Sequence, residues 1–129
     1  MFTLEQIKAA HAKVKSGADF PIYIQDLKNL GVRDYVTYVS DGHADYNGEN
    51  GASVSSTAKY DLMPVAAVSD VELFKKYLKE HQEGGSDYLT FCEQSASVGV
   101  EKWVVDVGAM TCTYYDAKGN EILQEKIPG

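Results

Sequence analysis

The sequence predicts an α+β domain, with helices packed on one face of an antiparallel sheet and one helix–helix–meander unit present twice. Three observations carry this reading. Residues 17–46 lie over residues 85–114 without a gap at a constant offset of 68, and seven of the thirty positions are identical. Ordinary composition would give roughly two. The identities are Gly17/Gly85, Asp19/Asp87, Gly31/Gly99, Val32/Val100, Val36/Val104, Val39/Val107 and Tyr46/Tyr114. Second, Phe20, Tyr23, Ile24, Leu27 and Leu30 fall at helical spacing, and so do their counterparts Tyr88, Phe91, Cys92, Ser95 and Val98. Third, Trp103, Val105 and Val107 alternate with Val104 and Asp106, as Tyr35, Thr37 and Val39 do in the first unit, which is the pattern of a sheet with one buried face.

Taken along the chain, Thr3 with Gln6 forms a capping box for a first helix over 4–15, and Leu4, Ile7, His11 and Val14 make its apolar stripe. Gly17 should stop it. Asp19 caps a second helix with Pro21 in its first turn, and Gly31 ends it in a left-handed conformation. Residues 34–40 suit a strand, Asp41-Gly42 a hairpin turn and 43–46 the returning strand. A Gly/Asn-rich turn at 47–51 leads to a third strand at 52–60. Residues 62–68 bridge the units in an extended form, because Pro64 disfavours helix before it.

The second unit repeats the order. Ser69 and Glu72 read as a capping box for a helix carrying Leu73, Phe74, Tyr77 and Leu78, which Gly84-Gly85 ends. Asp87 caps the next helix and Gly99 closes it. Strands follow at 103–107, 111–115 and 121–126, with the last turn at 116–120. The first helices share no single offset, so the repeat is firm from the second helix onward. The expected organisation is one compact domain, 1–129, with repeats at about 3–60 and 69–126 and a bridge at 61–68. A unit of about 65 residues would be marginal alone, so the halves should share one core.

Composition excludes several function classes. The net charge is −7 and the single arginine is Arg33, so contact with nucleic acid phosphate is poorly served. The same charge opposes anionic membrane surfaces. Acidic residues interleave with lysines as solvated helix faces do. Lys8, Lys13 and Lys15 sit at helical spacing without an apolar core segment, so the N-terminus reads as a helix rather than a signal peptide. The apolar run at 62–68 is far too short to span a bilayer. A cytoplasmic protein is expected. Cys92 and Cys112 have no metal-binding spacing and fall on different elements, so two buried thiols are expected.

Two patterns could carry chemistry. Asp41, His43 and Asp45 would point to one side of a regular strand. One imidazole and two carboxylates there could hold a divalent metal or supply an acid and a base. The plainer reading is a polar hairpin, and the equivalent positions Ala109, Thr111 and Thr113 could not reproduce the site. The second pattern is tyrosine: nine are present, and Tyr35, Tyr38, Tyr46 and Tyr60 would make a recognition surface if they shared one face. Core and cross-strand packing is the plainer alternative. Asp106 and both Cys read as structural, and His11 and His81 as helix residues at the edge of the core. No nucleophile elbow, P-loop or dinucleotide fingerprint occurs, and no cofactor is implied.

The run from Gly99 through Glu101, Trp103 and Val105 to Asp106, followed by Thr111 to Asp116 and Gly119, resembles the YbcV-like family of small, often prophage-borne bacterial proteins labelled "phage envelope protein". The resemblance extends through Phe20-Pro21, Gly31-Val32 and Tyr35. It implies no activity and brings no catalytic or binding residues. The sequence therefore points first to a non-enzymatic binding or interaction protein that meets a protein or small molecule. A metal-dependent or acid–base enzyme centred on Asp41, His43 and Asp45 is the alternative, and a small-molecule sequestering protein the third reading. Edge strands at 52–60 or 121–126 would pair in a homodimer.

Overall fold

The computed structural model describes residues 2–14 and 19–127. Helix α1, Leu4–His11, begins at the expected capping box: Thr3 Oγ1 accepts from the Gln6 N–H at 3.2 Å and the Thr3 N–H donates to Gln6 Oε1 at 2.8 Å. It buries Ile7 and Ala10 and stops at His11, short of Lys15. Gly17, the expected stop, lies outside the described residues. Helix α2, Phe20–Leu30, has Pro21 in its first turn, buries Tyr23, Ile24 and Leu27, and ends at Gly31 with φ 98°. Helix α3, Val71–Gln82, is capped by Asp70, whose Oδ1 accepts from the Leu73 N–H at 3.1 Å. The expected Ser69/Glu72 box gives way here. The Asp70 N–H is held by the Val98 carbonyl at 2.9 Å, so the chain reaches its helix one residue later. Helix α4, Tyr88–Ser97, starts as expected, with Asp87 Oδ1 accepting from the Thr90 N–H at 2.8 Å.

The six strands are β1 (Val32–Tyr38), β2 (Ala44–Gly48), β3 (Ser53–Ser55), β4 (Val100–Asp106), β5 (Thr111–Asp116) and β6 (Glu121–Lys126). They form one antiparallel sheet in the order β3-β2-β1-β4-β5-β6. At its centre Val36 of β1 stands opposite Val104 of β4, two residues that are 68 apart in sequence. The β1–β4 ladder is therefore arranged about a local two-fold. Val39 N–H donates to Glu101 O and Val107 N–H to Arg33 O, both at 2.9 Å, and each bond maps onto the other under the same offset.

The inner hairpins match as well. Tyr35 faces Tyr46 as Trp103 faces Tyr114, and an irregularity between Val32 and Asp34 recurs between Val100 and Lys102. Positive φ angles recur at Gly31 and Gly99, at Gly42 and Met110, and at Gly51 and Gly119. The outermost strands depart by one residue, since Val54 faces Tyr46 but Leu123 faces Tyr114.

The helices cover the face that presents Tyr35, Thr37, Trp103 and Val105, all buried. Trp103 packs against Phe91 of α4 at 5.8 Å between ring centroids, and Tyr114 against Phe74 of α3 at 4.9 Å. Each such side chain contributes about 1.5–3 kcal/mol through burial. The opposite face carries the row Asp45, Val36, Val104, Thr113 and Gln124.

Strand β3 is only three residues long, not the 52–60 of the sequence expectation. The chain leaves the sheet at Ser56 and runs as an irregular strap over residues 59–70, bent at 59–60 and 67–68. Lys59 and Met63 N–H groups donate to Asp41 O and Ser40 O in the β1–β2 turn, each at 2.8 Å. Farther along, Ala66 and Asp70 donate to Ala96 O and Val98 O at the end of α4, each at 2.9 Å. The strap presses on Gly99, where an added Cβ would lie 2.7 Å from Ser69 Cα.

The two helix-ending glycines make a paired test. Both have positive φ, which costs a non-glycine residue about 1–2 kcal/mol, but a Cβ on Gly31 would meet nothing within 4 Å. Gly31→Ala is expected to lose about 1 kcal/mol in urea unfolding. Gly99→Ala should lose distinctly more, because its Cβ collides with strap backbone.

Candidate functional site

The β1–β2 turn does bring Asp41, His43 and Asp45 together. Gly42 adopts φ 77° at the turn, its N–H donates to Tyr38 O at 2.8 Å, and Tyr38 N–H donates to His43 O at 3.0 Å. Asp41 Oδ1 accepts from the His43 backbone N–H at 3.0 Å and lies 2.5 Å from His43 Nδ1. On the other side of the ring, Nε2 is 4.0 Å from Asp45 Oδ1, which also accepts from the Ser55 hydroxyl at 2.7 Å. Tyr38 stacks on the imidazole at 4.5 Å and 11°. Hydrogen bonds from His43 hold the Asp41 carboxyl below its ordinary pKa, the backbone N–H contributing most.

The arrangement is a chain of contacts through the imidazole. Asp41 engages one ring nitrogen and Asp45 faces the other, so the two carboxylates do not converge with a free nitrogen on one point about 2 Å from each. Among the described residues no group of three or more His, Cys, Asp or Glu is placed to hold a metal ion. The cluster can orient an imidazole between carboxylates and can lock the turn.

The four tyrosines do not share a surface. Tyr35 and Tyr46 are cross-strand partners on the helix-covered face, with rings 5.2 Å apart and exposures of 6% and 7%. Tyr38 lies on the opposite face. Tyr60 sits in the strap, where its hydroxyl donates to Val39 O at 2.6 Å. The physical reason is strand parity: positions 35 and 38 differ by an odd number, which sends their side chains to opposite sides. Burial pushes the hydroxyls of Tyr23, Tyr35, Tyr46, Tyr60 and Tyr88 upward in pKa. It also raises the Cys92 thiol and drives Cys112 up to about 12. Both thiols are free and buried, which makes them packing residues rather than nucleophiles.

A different feature emerges at the other end of the central strand pair. An open cleft of about 890 Å³ lies between the C-terminus of α2, the start of β1, the turn at Glu49–Gly51 and the β4–β5 turn. Its floor is apolar, with Phe2, Leu30, Val32 and Val107, and its rim carries Lys28, Arg33, Glu49 and Asp106. Motif reading missed it because separate stretches of chain each contribute a few lining residues, so no local spacing announces it. The lone arginine at its rim was the one available signal.

No helix among the described residues is long and apolar enough to cross a membrane. A family profile described as "Protein of unknown function (DUF1398)" matches residues 8–126. No curated protein matches the chain.

The Asp41 contacts make a pH test. A lowered folded pKa stabilises the fold fully above the ordinary carboxylate value of about 4, and that stabilisation is lost as pH falls through the lowered value. Asp41→Asn should cost about 1 kcal/mol at pH 7. The gap from wild type should close as urea unfolding is repeated at progressively lower pH through the acid range.

Proposed function

The chain belongs to the DUF1398 family, whose description carries no activity, and we propose that it is a non-enzymatic binding module with the α2–β1 cleft as its working surface. The single observation behind this is the cleft itself: apolar at its floor, charged at its rim and framed by helix and strand ends. Ligand sites commonly combine those features. The likeness to YbcV-like proteins would place the module among phage-associated chains, and its acidic surface suits a cytoplasmic setting. The halves are read as copies of one unit, supported by the shared inner registers, with one copy keeping the binding role. Edge strands β3 and β6 offer hydrogen-bonding groups for a homodimer.

One observation favours a second reading. The contact between Asp41 and His43 would orient an imidazole for acid–base chemistry. Against it, neither the α2–β1 cleft nor the smaller cavity between α1 and α2 is lined by Asp41, His43 or Asp45.

Amide signals of isotope-labelled protein can separate the two. Titration with a fragment library, with nucleoside monophosphates and with mixed short peptides should move Lys28, Gly31, Arg33 and Gly108 together and saturably for one probe class. Response confined to His43 and Asp45 would favour the acid–base reading. If none of the three classes moves the cleft signals, the binding proposal fails.

A further inference from the structure

The strap shows what a seat of this shape holds. The carbonyl of Ser40 in the β1–β2 turn and those of Ala96 and Val98 at the end of α4 accept from three successive points of segment 63–70. Gly99 lies beneath it, with no room for a side chain. Shifting those four positions by 68 gives Gly108, Lys28, Leu30 and Gly31, and all four line the open cleft. The α2–β1 cleft is the counterpart, under the local two-fold, of the seat the strap fills. The exposure pattern agrees. Ala96, Val98 and Gly99 are buried under the strap, whereas Lys28 and Gly31 are exposed and Leu30 is half-buried.

We infer that the cleft binds a non-helical, largely apolar peptide segment of a partner protein, seated as the strap is seated between the β1–β2 turn and the end of α4. This rests on the binding-module reading and specifies its ligand. The segment would run from Gly108 towards Leu30 and donate backbone N–H groups to the carbonyls of Gly108, Lys28 and Leu30. Such backbone pairing gives affinity with little demand on side-chain identity.

Three differences between the seats shape the ligand. Met110 stands where Gly42 stands, and a Cβ at Gly42 would come within 2.7 Å of the Tyr60 ring. The open seat therefore has no room for an aromatic residue in the Tyr60 position, and its ligand corresponds to 63–70. Lys28 and Arg33 replace Ala96 and Glu101, so a carboxylate in or beside the segment gains two cations at the α2 side. Asp106 replaces Tyr38, which removes an aromatic wall and leaves the β4–β5 side polar.

The test uses a fluorescein-labelled synthetic peptide with the sequence of residues 61–70, because the intact chain already fills the strap's own seat. Fluorescence anisotropy with the full-length protein should show saturable micromolar binding. Gly108→Trp fills the seat from an exposed turn where a Cβ has space, and should weaken binding at least tenfold. Lys28→Trp, on an exposed helix position, should do the same, and Lys75→Trp on α3 should not; circular dichroism checks that each variant is folded.

Binding that survives both cleft variants would overturn the proposal. A dimer of the wild-type protein that either cleft variant dissolves would assign the seat to a second copy and also overturn it. If the peptide fails while fragments or nucleotides still move the Lys28 and Gly31 signals, the peptide inference falls and the binding module stands. If nothing moves them, both fall.

Discussion

The pairing of β1 with β4 is the constraint on which the rest of the structure depends. It joins the two halves through continuous backbone hydrogen bonds and places Val36 against Val104 at the centre. The inner elements repeat outward from that line, with two inner hairpins in the same register, two irregularities in the ladder and two helix ends turned by glycine. The outermost strands are offset by one residue. Because side chains alternate along each strand, fixing this one register fixes which residues face the helices. A slip by one residue would place Lys102 and Asp106 in the core and Trp103 outside it.

The helix-covered core follows from that register. Tyr35, Tyr46, Trp103 and Tyr114 occupy equivalent places and present aromatic area to α2, α3 and α4. Tyrosine here is a core residue with a polar tip. Its hydroxyl needs an internal acceptor, as Tyr60 finds at Val39 O and Tyr114 at Glu125 Oε1. The same economy applies at the hairpin, where Asp41 satisfies a backbone N–H and an imidazole with one oxygen. A polar cluster can thus look like chemistry in sequence and act as a brace in the fold.

How much was legible divides by range. Local signals read well: the Thr3 and Asp87 caps, the glycine stops at 31 and 99, the Asp41-Gly42 turn, and the alternation around Trp103 each stand where the residues imply. The α+β class and the single buried sheet face followed from them. Signals that needed a partner read poorly. Residues 56–60 have strand-compatible composition, yet the strand ends at Ser55 because the chain turns to bond the β1–β2 turn. Helix α3 starts from Asp70 rather than Ser69 because Val98, far along the chain, holds the Asp70 N–H. The cleft was invisible for the same reason, since its lining comes from separate stretches. The tyrosine surface failed on a point the sequence did contain, the odd spacing of Tyr35 and Tyr38.

The central ladder also sets an order of events during synthesis. Each half can close its own hairpin early, but β1 and β4 are separated by most of a unit's length of chain. Closing so long a loop carries an entropic cost before its contacts form. Until β4 has left the ribosome, β1 presents a bare strand edge and a half-covered aromatic face, the surface that folding intermediates tend to lose to aggregation. The nascent first half is therefore the form of this protein with the greatest need of a chaperone.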